Sequence, residues 1–155
     1  DGAAAFYRRA MLHDVAVAGE IFDADFFMHK EDVDLSWRAR LRGWECLYVP
    51  GAVAHHVRHF RAGQRARVSS AMRFYGARNR YLLMLKNEIP AHFWRDLPLI
   101  LAYDAGILAY MLLRERASLR IFPSLWALRK KMLTKRRTIQ AARRVSRREM
   151  APWFR

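Results

Sequence analysis

Three carboxylates fall within four residues in Glu31-Asp32-x-Asp34. A carboxylate kept ionised and aimed into a cleft can take a proton from a substrate hydroxyl, so this cluster is a candidate general base. A neighbouring anion such as Glu31 raises the proton affinity of that base, while the positive end of a helix lowers it. The same residues admit a purely architectural reading. Glu31 and Asp32 can cap a helix, worth roughly 0.3–1 kcal/mol each, and Asp34 can pair with Arg38 at i, i+4. The second cluster is His55-His56-x-x-His59, whose imidazoles suit a transition metal. His13 and His92 stand alone and read as hydrogen-bonded structural residues. Cys46 is the single cysteine, which excludes an intrachain disulfide and a four-thiolate zinc site.

Positioning these groups needs a helix, a strand and a set of loops. Gly2 opens a loop into a short apolar piece, residues 8–16 read as a short helix ending near Gly19, and residues 22–27 as a compact loop with aromatic anchors. The spacing of Val33, Trp37 and Leu41 predicts a helix over 31–42 with one apolar stripe, closed by Gly43 in the left-handed conformation. Residues 44–49 alternate and contain aromatics, so they read as a strand stopped by Pro50-Gly51. Residues 52–57 read as a second extended segment. Beyond residue 64 the pattern predicts helices over 65–87, 93–114 and about 125–149. Domain boundaries follow at 1–62 (catalytic part), 63–90 (helical connector) and 91–155 (apolar and basic helical region).

The ordered set carries a resemblance. Gly2-Ala3-Ala4, Phe6-Tyr7-Arg8-Arg9, Phe22-Asp23 with Phe26-Phe27, Glu31-Asp32-x-Asp34-Leu35-x-x-Arg38 with Gly43, and Tyr48-Val49-Pro50-x-Ala52 ending at His56 resemble family 2 glycosyltransferases, most closely the rhamnosyltransferase-like branch. Arg78-Asn79-Arg80 fits the same pattern. The resemblance implies an α/β fold, the C-terminal part of a GT-A domain followed by a helical extension, and inverting transfer from a nucleotide-diphosphate sugar. It implies Asp32 as the base that deprotonates the acceptor hydroxyl. It also implies Gly2, Ala3, Glu31, Asp34 and Arg38 at the substrate, and His56 at the metal or the diphosphate. A divalent cation, magnesium or manganese, would stabilise the leaving diphosphate. Its Asp-x-Asp ligands and the nucleotide-binding half have no counterpart in these residues, so the chain reads as the later part of something longer.

Charge divides the 155 residues unevenly. Residues 1–60 hold seven basic and nine acidic side chains, and residues 61–155 hold 22 and five. With 53% hydrophobic residues the chain can bury a core, which excludes wholesale disorder despite a net charge of +15. Residues 97–113 are apolar, yet as helix they span ~25 Å, short of a ~30 Å hydrocarbon core. Asp104 near their middle adds roughly 2.5–3.5 kcal/mol to insertion. The expectation is therefore a helix lying in the membrane interface or packed against the catalytic domain, with an ordinary buried helix as the alternative. Residues 120–155 carry 12 basic side chains and one acid, interleaved with Leu125, Trp126, Leu128, Met132 and Leu133. That pattern suits anionic headgroups and, less well, nucleic acid. The partners expected are a nucleotide-diphosphate sugar, a glycan or lipid-linked acceptor and an anionic membrane surface at the cytoplasmic face. A non-catalytic basic module for membrane or nucleic acid is the alternative.

Overall fold

The computed structural model describes residues 2–56 and 68–154. Six α-helices follow in order among these residues: α1 (Arg9–Asp14), α2 (Glu31–Leu41), α3 (Ser70–Asn87), α4 (Pro90–Arg114), α5 (Ile121–Ala141) and α6 (Arg147–Met150). Short 3₁₀ turns cover Gly2–Ala4, Ala24–Phe26, Arg116–Arg120 and Ala151–Phe154. Among the described residues there is no strand, and the β contact is an isolated bridge between Val17 and Glu20.

The expected α/β, GT-A fold is therefore corrected to a helical one. The reason is visible at residues 44–49, which form coil without a ladder, with Leu47 81% and Tyr48 88% exposed. A strand needs a neighbour for its N–H and C=O groups, and no described segment lies alongside to supply one. The extended segment expected at 52–57 is likewise unpaired coil through residue 56.

The helices start and stop for identifiable reasons. Gly43 adopts φ +86° just past α2 and ends it. The Ser69 hydroxyl accepts from the Met72 N–H at 3.2 Å and caps α3. Pro90, which falls between the helices expected over 65–87 and 93–114, occupies the first turn of α4, where its missing N–H is harmless. The long basic helix expected over 125–149 breaks after Ala141, because the Arg144 N–H turns to the Leu41 carbonyl at 2.9 Å. A Ser146–Glu149 capping box then starts α6.

α3 and α5 form the main helix pair, and α2 packs across both. Phe26, Leu82, Leu83 and Met132 are buried where the three meet, each contributing roughly 1.5–3 kcal/mol. Met11, Val15, Leu35 and Ala39 make a second cluster between α1 and α2. A third, with Val17, Leu41, Ile89, Ile139 and Met150, ties the chain's end to its beginning. The stripe expected on α2 is rotated. Leu41 is buried, but Val33 is 45% exposed and the inward face carries Asp34, Leu35 and Arg38.

Candidate active site around Asp32

The loop entering α2 is held in conformations that ordinary side chains rarely take. Phe27, His29 and Lys30 have φ of 60°, 64° and 70°, a region that costs non-glycine residues of order 1–3 kcal/mol each. Asn79 of α3 holds that loop in place. Its amide nitrogen donates to the carbonyls of Phe26, Met28 and His29 at 2.8, 2.7 and 2.9 Å. The Arg78 guanidinium donates to the Asp25 carbonyl and lies 4.7 Å from the Tyr75 ring centroid. Phe27 packs on that ring, with centroids 5.0 Å apart. This clamp sets the direction in which the first residues of α2 emerge.

Those residues are Glu31 and Asp32, and both are partly exposed. One carboxylate oxygen of Asp32 accepts from the Gly2 N–H at 2.8 Å, and the other from the Val33 N–H at 2.8 Å. The approach of Gly2 is close. A Cβ there would stand 2.9 Å from the Asp32 Cβ, so the position takes glycine. Beside it, one oxygen of Glu31 is buried with no hydrogen-bond partner, an arrangement that ordinarily leaves a group wanting a ligand or a water. Tyr7 completes the neighbourhood. Burial raises its phenol pKa, and Asp32, Cys46 and Glu31 add to the effect, so it stays a neutral O–H donor.

The structure thus brings Gly2, Glu31 and Asp32 together and places Ala3 in the same 3₁₀ turn as Gly2. Asp34 and Arg38 point the other way. Asp34 is fully buried and pairs with Arg38 at 2.9 Å, with Lys86 at 2.8 Å and with the Asn87 amide at 2.8 Å. Arg38 also donates to the carbonyls of Val15 and Ile21. These two residues, expected at the substrate, occupy the interior instead and fix α2 to α3. His56 lies exposed on coil beside His55, while His59 falls outside the described residues. His92 is buried and bonds the Arg147 carbonyl at 3.0 Å, as a structural histidine does.

No three His, Cys, Asp or Glu side chains among the described residues converge to hold a metal ion. The described part of the chain therefore does not fit a divalent cation by itself. Two lysines prove central: Lys86, which carries no signal in the sequence, and Lys135, expected among the cations facing a membrane surface but buried here. Lys86 is fully buried between Asp23 (2.5 Å) and Asp34. Lys135 joins Asp23, Asp25 and Glu20 at 2.6, 2.8 and 3.2 Å. A lysine in a basic helix ordinarily faces solvent. Compared with protein-family models, curated proteins and solved structures, the chain matches none.

Proposed function

We propose that this chain carries the acceptor side and the general base of an inverting glycosyltransferase working at a membrane surface. The observation that supports it is the meeting of Gly2 and Asp32 across 30 residues of sequence, beside an unpartnered Glu31 oxygen. Asp32 takes the proton of the acceptor hydroxyl as that oxygen attacks the anomeric carbon of a nucleotide-diphosphate sugar. The bond from that carbon to the diphosphate breaks, and the nucleotide diphosphate leaves with the electron pair. Attack opposite the leaving group inverts the anomeric centre. The N–H groups of Gly2 and Val33 fix the carboxylate's orientation, which is what a positioned base requires. Glu31 holds the acceptor through a second hydroxyl.

In a full-length enzyme that includes the nucleotide-binding half, Asp32→Asn should lower transfer from a panel of nucleotide-diphosphate sugars by roughly 10²–10⁴-fold, with sugar-nucleotide binding unchanged. Retained turnover in that variant removes Asp32 from the role. Glu31→Gln should raise the acceptor KM more than it changes donor binding, and unaltered acceptor kinetics count against it.

The membrane location rests on α4, which is long and apolar enough to associate with a bilayer and has only 6% of its most apolar stretch buried. Asp104, the acid expected to oppose insertion, pairs with Arg80 at 2.5 Å on the side facing α3. The competing reading is a non-catalytic basic module. It predicts vesicle or nucleic-acid binding that weakens with salt and no transfer by any preparation.

A further inference from the structure

α4 stands away from the body along much of its length. A cavity of about 770 Å³ lies between it and α3, bridged by the ion pairs Arg80–Asp104 at 2.5 Å and Arg73–Glu115 at 2.9 Å. The buried residues of α4 are His92 in its first turn and Met111 near its far end. What fixes the helix at its base is therefore the joint with α3 at Glu88-Ile89.

That joint is built from a buried acid and a buried imidazole. Ile89 seats in the cluster with Val17, Leu41, Ile139 and Met150, which draws its neighbours inward. The Glu88 side chain is 12% exposed and that of His92 5%. The Nε2 of His92 lies 3.0 Å from the Arg147 carbonyl. A carbonyl only accepts, so Nε2 carries the hydrogen and the neutral ring presents its lone pair at Nδ1. Nδ1 is 4.0 Å from a carboxylate oxygen of Glu88. In the fully deprotonated pair an anion and a lone pair face each other away from water, which costs both groups solvation. One proton on either group turns the contact into an attraction and ties α4, through His92, to α6.

The other charges around Glu88 do not substitute for that proton. On α4, Arg95 and Asp96 hold each other by two bonds of 2.6 Å. On α5, Arg136 donates to the Leu85 carbonyl at 3.1 Å. On α6, Arg147 supplies its carbonyl to His92. Burial raises the Glu88 pKa and Asp96 adds to it, outweighing the Ile89 N–H and the charges of Arg136 and Arg95. Among the described residues, the cation within ion-pair distance of Glu88 is His92 itself.

We propose that Glu88 and His92 form a proton-operated latch at the base of α4. With one proton between them the helix is held to α6, and when that proton leaves the joint opens. Opening adds Leu97, Ile100 and Ile107, now partly covered, to the leucines that α4 already exposes. The pH thus sets how much apolar surface the helix offers. The sign follows from the carboxyl: a group whose folded pKa is raised stabilises the closed joint at low pH and ceases to as pH rises through the folded value. The latch works whatever reaction Asp32 serves.

The test is native-state amide hydrogen exchange of the full chain from about pH 5 to 8, corrected for intrinsic rates. Protection of the Phe93, Trp94 and Arg95 amides should fall roughly tenfold across that range, while Leu82 and Leu83 in α3 stay level. The His92 ring resonances should change over the same pH interval as those amides. Glu88→Gln keeps the size, removes the charge and supplies an amide donor for Nδ1. This variant should hold the parent's low-pH protection throughout, and the ring resonances should move away from that interval. Protection that is flat with pH in the parent overturns the latch. So does a slope that Glu88→Gln retains, which would place the titrating group elsewhere. A His92 ring that titrates independently of the exchange overturns it as well.

Discussion

Asn79 has two amide hydrogens and directs them at three carbonyls, all belonging to the loop that precedes Glu31 and Asp32. It is fully buried, so truncation removes the donor that the Met28 and His29 carbonyls share. Asn79→Ala should therefore lower unfolding free energy by about 1–3 kcal/mol, read as a shift of the urea midpoint at constant slope. It should also reduce transfer beyond what lost stability explains, because the left-handed residues Phe27, His29 and Lys30 relax once unclamped. A variant with unchanged stability would show that the loop holds its shape unaided. The residues around Asp32 were legible in sequence because motif order and spacing survive folding. The inward turn of Asp34 and Arg38 was legible only as the i, i+4 pair. What buries that pair comes from Lys86 and Asn87, some fifty positions away, and local periodicity carries no trace of so distant a partner.

At the scale of elements, the helices were legible wherever a breaker marked them. Gly43 ends α2 by local chemistry that sequence shows directly, whereas the Ser69 cap starts α3 at residue 70, inside the helix expected from 65. Residues 44–49 were misread because alternation records what a strand would need and not whether a partner strand exists. α4 is the element whose surroundings matter most. Its buried residues, His92 and Met111, lie near its two ends, while Leu99 and Leu113 are 75% and 79% exposed. Exposed leucines contribute little to folding, so Leu99→Glu with Leu113→Glu should leave the thermal midpoint within a few degrees of the parent. At a bilayer the same two changes place carboxylates in the apolar face and add like charge to an anionic surface. Flotation with vesicles containing phosphatidylglycerol should fall several-fold for the double variant. Undiminished flotation would move the membrane contact from α4 to the cations of α5.

At the scale of the whole molecule, the uneven charge of the two halves becomes a set of cross-links. Acids from the first 25 residues hold basic side chains from the last third. Asp14 pairs with Arg42 and, at 3.2 Å, with Arg144, while Asp23, Asp25 and Glu20 surround Lys135. Hydrogen bonds from Arg42 and Trp44 hold the Asp14 carboxyl down at about 2. Burial pushes Asp23 upward, but the hydrogen bonds from Lys135 and Lys86 outweigh it and hold this carboxyl well below the usual range. Burial likewise opposes the charge of Lys135, and its bonds to Asp23 and Asp25 prevail, so its pKa is raised. A carboxyl with a depressed folded pKa contributes its stability fully above the unfolded value, near ~3.9, and loses it as pH falls through the folded value. These acids should therefore leave the urea midpoint flat between pH 7 and 5 and lower it steeply from about pH 4 to 2. The Asp23 contribution should still be falling at the acid end. Asp14→Asn should remove part of that slope, and the loss of α5 docking should appear as earlier proteolysis near Ala142 than in α3. A midpoint independent of pH between 4 and 2 would mean that these pairs form no more strongly in the folded chain than in the unfolded one, and the charge asymmetry would then have no part in holding the halves together.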